Sequence, residues 1–248
     1  MGRVPTGAGT AAILPSPQQG VLGRGAGVIR RPRATMAQVA AAPSWLGMTV
    51  LPAALAAAAL GLLYQTEVGR LALADHWERG AVALGWPLDD AGYARLLSAT
   101  RYGWAYGLAT AILAGPVLAL VAAALIRATA GSRERRPGFG AVFAVTVHAG
   151  VILALRQVLS APVAYARETL ASPTALGVWF PGLDEGSGIA RLLGMLDLFV
   201  VWWAVVLAMG VGALYDRPAR GLAIRFIGIY AGAATLLALG LAAAGGLD

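Results

Sequence analysis

The chain has no cysteine and no lysine, and charge of either sign is sparse. Without cysteine there is no disulfide framework, no iron–sulfur cluster and no cysteine zinc site. All nineteen basic residues are arginine, a composition bias that carries no chemistry of its own. Charged residues make up 12% of 248. A typical soluble domain has about 25%, so the chain lacks the charge to solvate a surface of its size. Disorder requires a chain too poor in apolar residues to build a core, and 58% hydrophobic residues exclude it for most of the sequence. A net charge of +7 would suggest nucleic acid in a soluble protein. Here the arginines flank apolar segments, and no nucleic-acid partner is expected.

What is present is apolar sequence in long runs. Five stretches, 46–64, 105–126, 139–160, 195–214 and 222–244, approach the roughly 20 residues a helix needs to cross a bilayer. Alternation at period two is absent, which excludes barrel strands. The expected fold is therefore all-α: a polytopic helical membrane bundle of five transmembrane helices. Arginine counts orient it. The amino-terminal tail, the loop 127–138 and the loop 215–221 carry eleven arginines against two acids; the other flanks carry six against nine. The expected topology has a cytoplasmic amino terminus and an external carboxyl terminus.

Residues 1–27 are rich in Gly, Pro, Gln and Ala without periodicity and read as a disordered tail, with 28–248 as the membrane domain. Met1-Gly2 fits a myristoylation pattern, which five spans make redundant. Arg30-Arg31 lacks the apolar run and cleavage site of a twin-arginine signal. Met36 is an alternative start, which leaves open whether the residues before it belong to the mature protein. The stretch RRPRATMAQVAAAPSW, residues 30–45, reads as a helix lying on the cytoplasmic surface and turning at Pro43 into the first span. Two amphipathic runs, 66–83 and 89–100, are broken by Gly85-Trp86-Pro87 and rimmed by Trp and Tyr, as expected of helices at the lipid–water boundary. Ser172-Pro173 and Phe180-Pro181-Gly182 mark turns before the fourth span.

Ionisable residues inside spans are costly and are functional candidates by default. Arg225 lies near a span end, where it can snorkel. Arg156, near the outer end of the third span, and Asp197, just inside the fourth, fall at similar depth and are expected to form a structural ion pair between helices. His148 is the mid-membrane polar residue. It has no second ligand at metal-binding spacing, and a hydrogen bond to a neighbour such as Tyr230 is its expected fate. Pro52 and Pro116 should kink their helices. Gly103-x3-Gly107 and Gly228-x3-Gly232 permit close helix contacts. Phosphate-binding loop, nucleophile elbow and zinc-protease motifs are all missing, so no enzyme, no catalytic residue, no metal and no cofactor are expected.

The layout of a basic amino-terminal segment, five spans and a short external carboxyl terminus resembles bacterial members of the Yip1-domain family. The stretch SPTALGVWFPGLDEGSGIARLLGMLDLFVVWWAVVLAMGVGAL, 172–214, is the most telling: a turn, then Asp197, Phe199, Trp202 and Trp203 entering the fourth span. The resemblance covers roughly 28–244 and implies a multi-span protein that works through partners. Eukaryotic relatives contact small GTPases from the cytoplasmic side and carry an Asp-Leu-Tyr-Gly-Pro signature, which this tail lacks, so the resemblance does not extend to GTPase binding.

The expected function is that of a non-enzymatic scaffold or adaptor in a bacterial inner membrane. It would be surrounded by membrane lipids and engage an unidentified membrane or cytoplasmic protein, alone or as a homo-oligomer. Its contact surface would be the cytoplasmic arginines Arg30, Arg31, Arg33, Arg133, Arg135 and Arg136. The alternatives are a small transporter or channel subunit, with His148, Arg156 and Asp197 lining a path, and an accessory subunit of a larger complex. A hydrated cavity joining those three residues would favour transport; an isolated ion pair in a packed bundle would favour the scaffold.

Overall fold

The structure, a computed structural model, describes residues 20–130, 136–183 and 187–244. Five helical stretches are long and apolar enough to cross a membrane: Leu46–Gln65, Asp90–Thr129, Phe139–Arg167, Leu198–Tyr215 and Ala219–Ala243. No strand occurs among the described residues. In chain order the helices are α1 (Val21–Arg30), α2 (Pro32–Ala41), α3 (Leu46–Gln65), α4 (Glu67–Ala83), α5 (Asp90–Ala99), α6 (Gly103–Thr129), α7 (Phe139–Ala149), α8 (Val151–Arg167), α9 (Gly188–Met195), α10 (Leu198–Tyr215) and α11 (Ala219–Ala244). The all-α bundle with five candidate spans is thus what this sequence forms.

The third span is two helices in tandem, α7 and α8, meeting at Gly150. It is the central one: 61% of its most apolar window is buried, against 11–39% for the others. It runs on to Arg167, beyond the expected end at residue 160, and carries Pro162. Two cores form along it. In one, Val28, Met36, Val142, Val145, Ile152, Val206 and Val211 join α1, α2, α7, α8 and α10; in the other, Leu60, Tyr64, Leu73, Ala111 and Ala164 join α3, α4, α6 and α8.

The amino-terminal segment departs from the sequence reading. Helix α1 begins at Val21, inside the stretch expected to be a tail, and residues 1–19 lie outside the described residues. Helix α2 covers only Pro32–Ala41 of the expected stretch 30–45, and it packs on α7 and α10. Its large apolar side chains, Met36 and Val39, are both buried. The reason is steric. Gly210 of α10 leaves a notch: a Cβ there would collide with Val145 Cγ1 and stand 3.2 Å from Met36 Sδ. The side of α2 that is buried carries Thr35, Met36 and Val39.

The paired amphipathic helices match the sequence more closely. Thr66 caps α4 by accepting from the Gly69 N–H at 2.9 Å, and Asp89 caps α5 by accepting from Gly92 at 2.7 Å. Gly85, between them, takes the left-handed conformation with φ 79°. The two glycine pairs diverge. A Cβ on Gly107 would meet Tyr64 Cδ2 at 2.8 Å and Leu60 Cβ at 3.0 Å, so α6 lies tight on α3. Gly228 and Gly232 face open space, and only the first pair makes the close contact that the spacing permits.

Candidate functional site

The densest polar arrangement gathers where the fourth crossing helix begins. Asp197 is the N-cap of α10, so it stands one residue outside the helix rather than within the span. Its Oδ1 accepts from the Phe199 N–H at 2.8 Å, the bond that satisfies an otherwise orphaned donor in a helix's first turn. Its Oδ2 accepts from Ser172 Oγ at 2.5 Å and Thr174 Oγ1 at 3.0 Å. Arg156 Nε lies 3.0 Å from the same oxygen. The contact is ionic: the Nε–H does not align for a hydrogen bond. The structure therefore brings Arg156 of α8 and Asp197 together, as depth along antiparallel spans suggests.

Backbone bonds clamp the turn that supplies the two hydroxyls. Leu176 N donates to Leu196 O at 2.7 Å, and Leu198 N to Thr174 O at 3.1 Å. These bonds make an isolated antiparallel bridge between Ala175 and Asp197. The 3₁₀ turn Leu176–Trp179 then rests on α9, where a Cβ at Gly177 would come 3.2 Å from the Gly194 backbone. From α11, Tyr230 donates its hydroxyl to Met195 O at 2.5 Å and accepts from the Asp197 N–H at 2.9 Å. Burial alone would raise the Asp197 pKa. The Ser172 bond, the Arg156 charge, the Phe199 N–H and the Thr174 bond outweigh it and hold the carboxyl below its ordinary value. The arrangement ties α8, α10, α11 and the turn at 172–179 into one knot.

A family model described as the Yip1 domain matches residues 26–242. The chain belongs to the Yip1-domain family. No curated protein and no solved structure matches it. The match begins within α1, so most of the α1–α2 hairpin belongs to the Yip1 domain rather than to an appended tail.

His148 of this Yip1-domain protein is fully buried, and its Nδ1–H donates to the Ala144 carbonyl one turn back, at 2.7 Å. Its Nε2 has no partner among the described residues. The expected bond to Tyr230 is not made. Helix α11 packs on α9 as well as α10, and this carries Tyr230 to the Asp197 knot. The charge acting on His148 is that of Arg24 in α1, which also donates to Ser44 Oγ.

The expected basic surface is described in part. Arg30, Arg31, Arg33 and Arg136 are exposed; Arg133 and Arg135 lie outside the described residues. Arg127, Arg136 and Arg217 all act electrostatically on the Tyr215 hydroxyl, so the loops after α6 and after α10 share one end of the bundle. Among the described residues no three His, Asp or Glu come together as a metal site would require.

Sequence reasoning missed Ser172, Thr174 and the true role of Tyr230. The signal for the first two was modest: hydroxyls on both sides of Pro173, in a turn before an acid at a span boundary.

Proposed function

We propose that this Yip1-domain protein is a non-enzymatic scaffold or adaptor of a bacterial inner membrane, with its amino terminus in the cytoplasm and its partner surface built from Arg30, Arg31, Arg33 and Arg136. The observation that carries the reading is the separation of the polar groups within the bundle. Asp197 is closed in by Ser172, Thr174, Arg156 and its own helix. His148 belongs to the α2–α7–α10 core. The large cavity of the bundle reaches Arg156 but neither His148 nor Asp197. A proton or ion path needs polar groups that continue through the membrane, and these three do not form one. A transporter or channel subunit is thereby the weaker reading.

The test is purification of the tagged full-length protein from native membranes in mild detergent, with mass spectrometry of what accompanies it. The native chain should carry a stoichiometric protein partner. A variant with Arg30, Arg31, Arg33 and Arg136 changed to Gln should insert normally and lose that partner. Recovery of the native chain alone, as a uniform oligomer conducting ions in vesicles, would overturn the proposal.

A further inference from the structure

The cavity lined by α3, α6, α7, α8, α10 and α11 has a volume of about 600 Å³. At roughly 30 Å³ per water-sized group it holds about twenty heavy atoms, in the range of small-molecule and cofactor sites. Helix α6 packs on α3 and α7, and α11 on α10; the cavity between these groups is open along α6, where the lining residues Gly115 and Leu118 are exposed.

Its two ends differ in chemistry. At one end lie Pro52, Ala53, Leu118 and Val147. The hydroxyls nearby, Thr49 and Thr146, are already donated to the Trp45 and Val142 carbonyls of their own helices, so this end offers no polar group. At the other end lie Tyr64, Tyr106, Arg156 and Gln157. Tyr64 stands one residue from the end of α3 and Tyr106 in the first turn of α6. Arg156 is level with the N-cap of α10. That end is therefore at the membrane boundary, where tyrosine and arginine meet headgroups. Twelve residues of α3 separate Tyr64 from Pro52, about 18 Å of descent. The Arg156 side chain remains 32% exposed although its Nε is buried, and its Nη atoms make no hydrogen bond among the described residues. Tyr64, Tyr106 and Gln157 likewise form no side-chain hydrogen bond there.

We infer that this cavity is a binding site for a single membrane lipid with an anionic headgroup. The phosphate end pairs with the Arg156 guanidinium and is flanked by the Tyr64, Tyr106 and Gln157 polar groups. One acyl chain descends along α3 and α6 toward Pro52 and Val147. Charge complementarity and the match of polarity along the cavity select this occupant over an uncharged chain, which would leave the donors at the boundary unpaired.

The test uses the full chain reconstituted in vesicles of equal phosphatidylglycerol and phosphatidylcholine, then extracted in mild detergent for native mass spectrometry. Gly115 lines the cavity, and a Cβ there meets nothing within 4 Å, so the side chain of Gly115→Phe can leave the backbone without a clash and take up cavity space. Both lipids carry the phosphate, and phosphatidylcholine adds a choline cation that the Arg156 guanidinium repels, so the native protein should retain one phosphatidylglycerol in about tenfold preference to phosphatidylcholine. Gly115→Phe, checked for a native circular dichroism spectrum, should lose it. The double variant Arg156→Gln with Asp197→Asn leaves neither charge unpaired, so it should stay folded and retain both lipids equally. Equal retention of the two lipids by the native chain overturns the inference, as does undiminished phosphatidylglycerol on Gly115→Phe. So does a dimer that carries no lipid and dissociates on Gly115→Phe, which would make a second copy the occupant.

Discussion

Asp197 does several jobs with one carboxylate, and each can be removed separately. Oδ1 caps α10, while Oδ2 collects two hydroxyls and a guanidinium. Asp197→Ala removes a cap worth about 1 kcal/mol and orphans buried donors at about 1–3 kcal/mol. The melting temperature in detergent should fall by roughly 10 °C. Asp197→Asn keeps the capping oxygen and should cost less than half as much. Acid separates the two further. The folded carboxyl titrates below its ordinary 3.8, so the folded state binds the charged form more tightly. That contribution is complete above pH 3.8 and is lost as pH falls below it through the folded value. Melting curves should show the native protein weakening in that window and Asp197→Asn losing nothing there; equal acid sensitivity of both would place the cause elsewhere. Counting inward from two facing span ends was enough to put Arg156 and Asp197 at one depth. The same count set Tyr230 beside His148 and failed, because it ignored the packing of α11 on α9. Ser172 and Thr174 reach Asp197 only through a fold-back of the turn, of which the local sequence shows the turn but not its partner.

Among elements, what decides packing is where backbone can approach backbone. Gly107 and Gly232 sit in the same small-x3-small spacing, yet only Gly107 has α3 against it. Gly107→Leu should force α6 away from Tyr64 and Leu60 and destabilise by about 1–3 kcal/mol. Gly232→Ala adds a methyl in open space and should be neutral or stabilise by up to about 1 kcal/mol through helix propensity. Thermal unfolding in detergent reads both; a loss of stability in Gly232→Ala would reveal a close contact on that face that the isolated chain lacks. The elements that were legible in the sequence had caps and breakers: Thr66 and Asp89 start α4 and α5, and Gly85-Trp86-Pro87 parts them. The burial of α2 was not legible. With alanine on most sides and only Met36 and Val39 large and apolar, α2 carries no stripe wide enough to announce a partner. Its seat depends on the notch at Gly210, far away in sequence.

For the whole molecule the property of greatest consequence is which end of the bundle meets the cytoplasm. The amino-terminal tail and the loops after α6 and α10 carry eleven arginines against six on the opposite flanks. Arginine next to short loops retains them on the cytoplasmic side, so the Asp197 knot and the polar end of the cavity should face outward. The sequence supplies its own assay, since it has no native cysteine to label. Single replacements at exposed positions, Ser98→Cys at the end of α5, Gly182→Cys before α9 and Pro218→Cys between α10 and α11, should divide cleanly. A membrane-impermeant maleimide applied to cells with a permeabilised outer envelope should modify the first two, and should reach Pro218→Cys only after the inner membrane is opened. The reverse pattern would put Arg30, Arg31, Arg33 and Arg136 outside and remove the surface on which the adaptor reading depends. Labelling of all three from outside would break the five-span count itself, because Gly182 and Pro218 are separated by α10 and an intact span cannot leave both ends on one side.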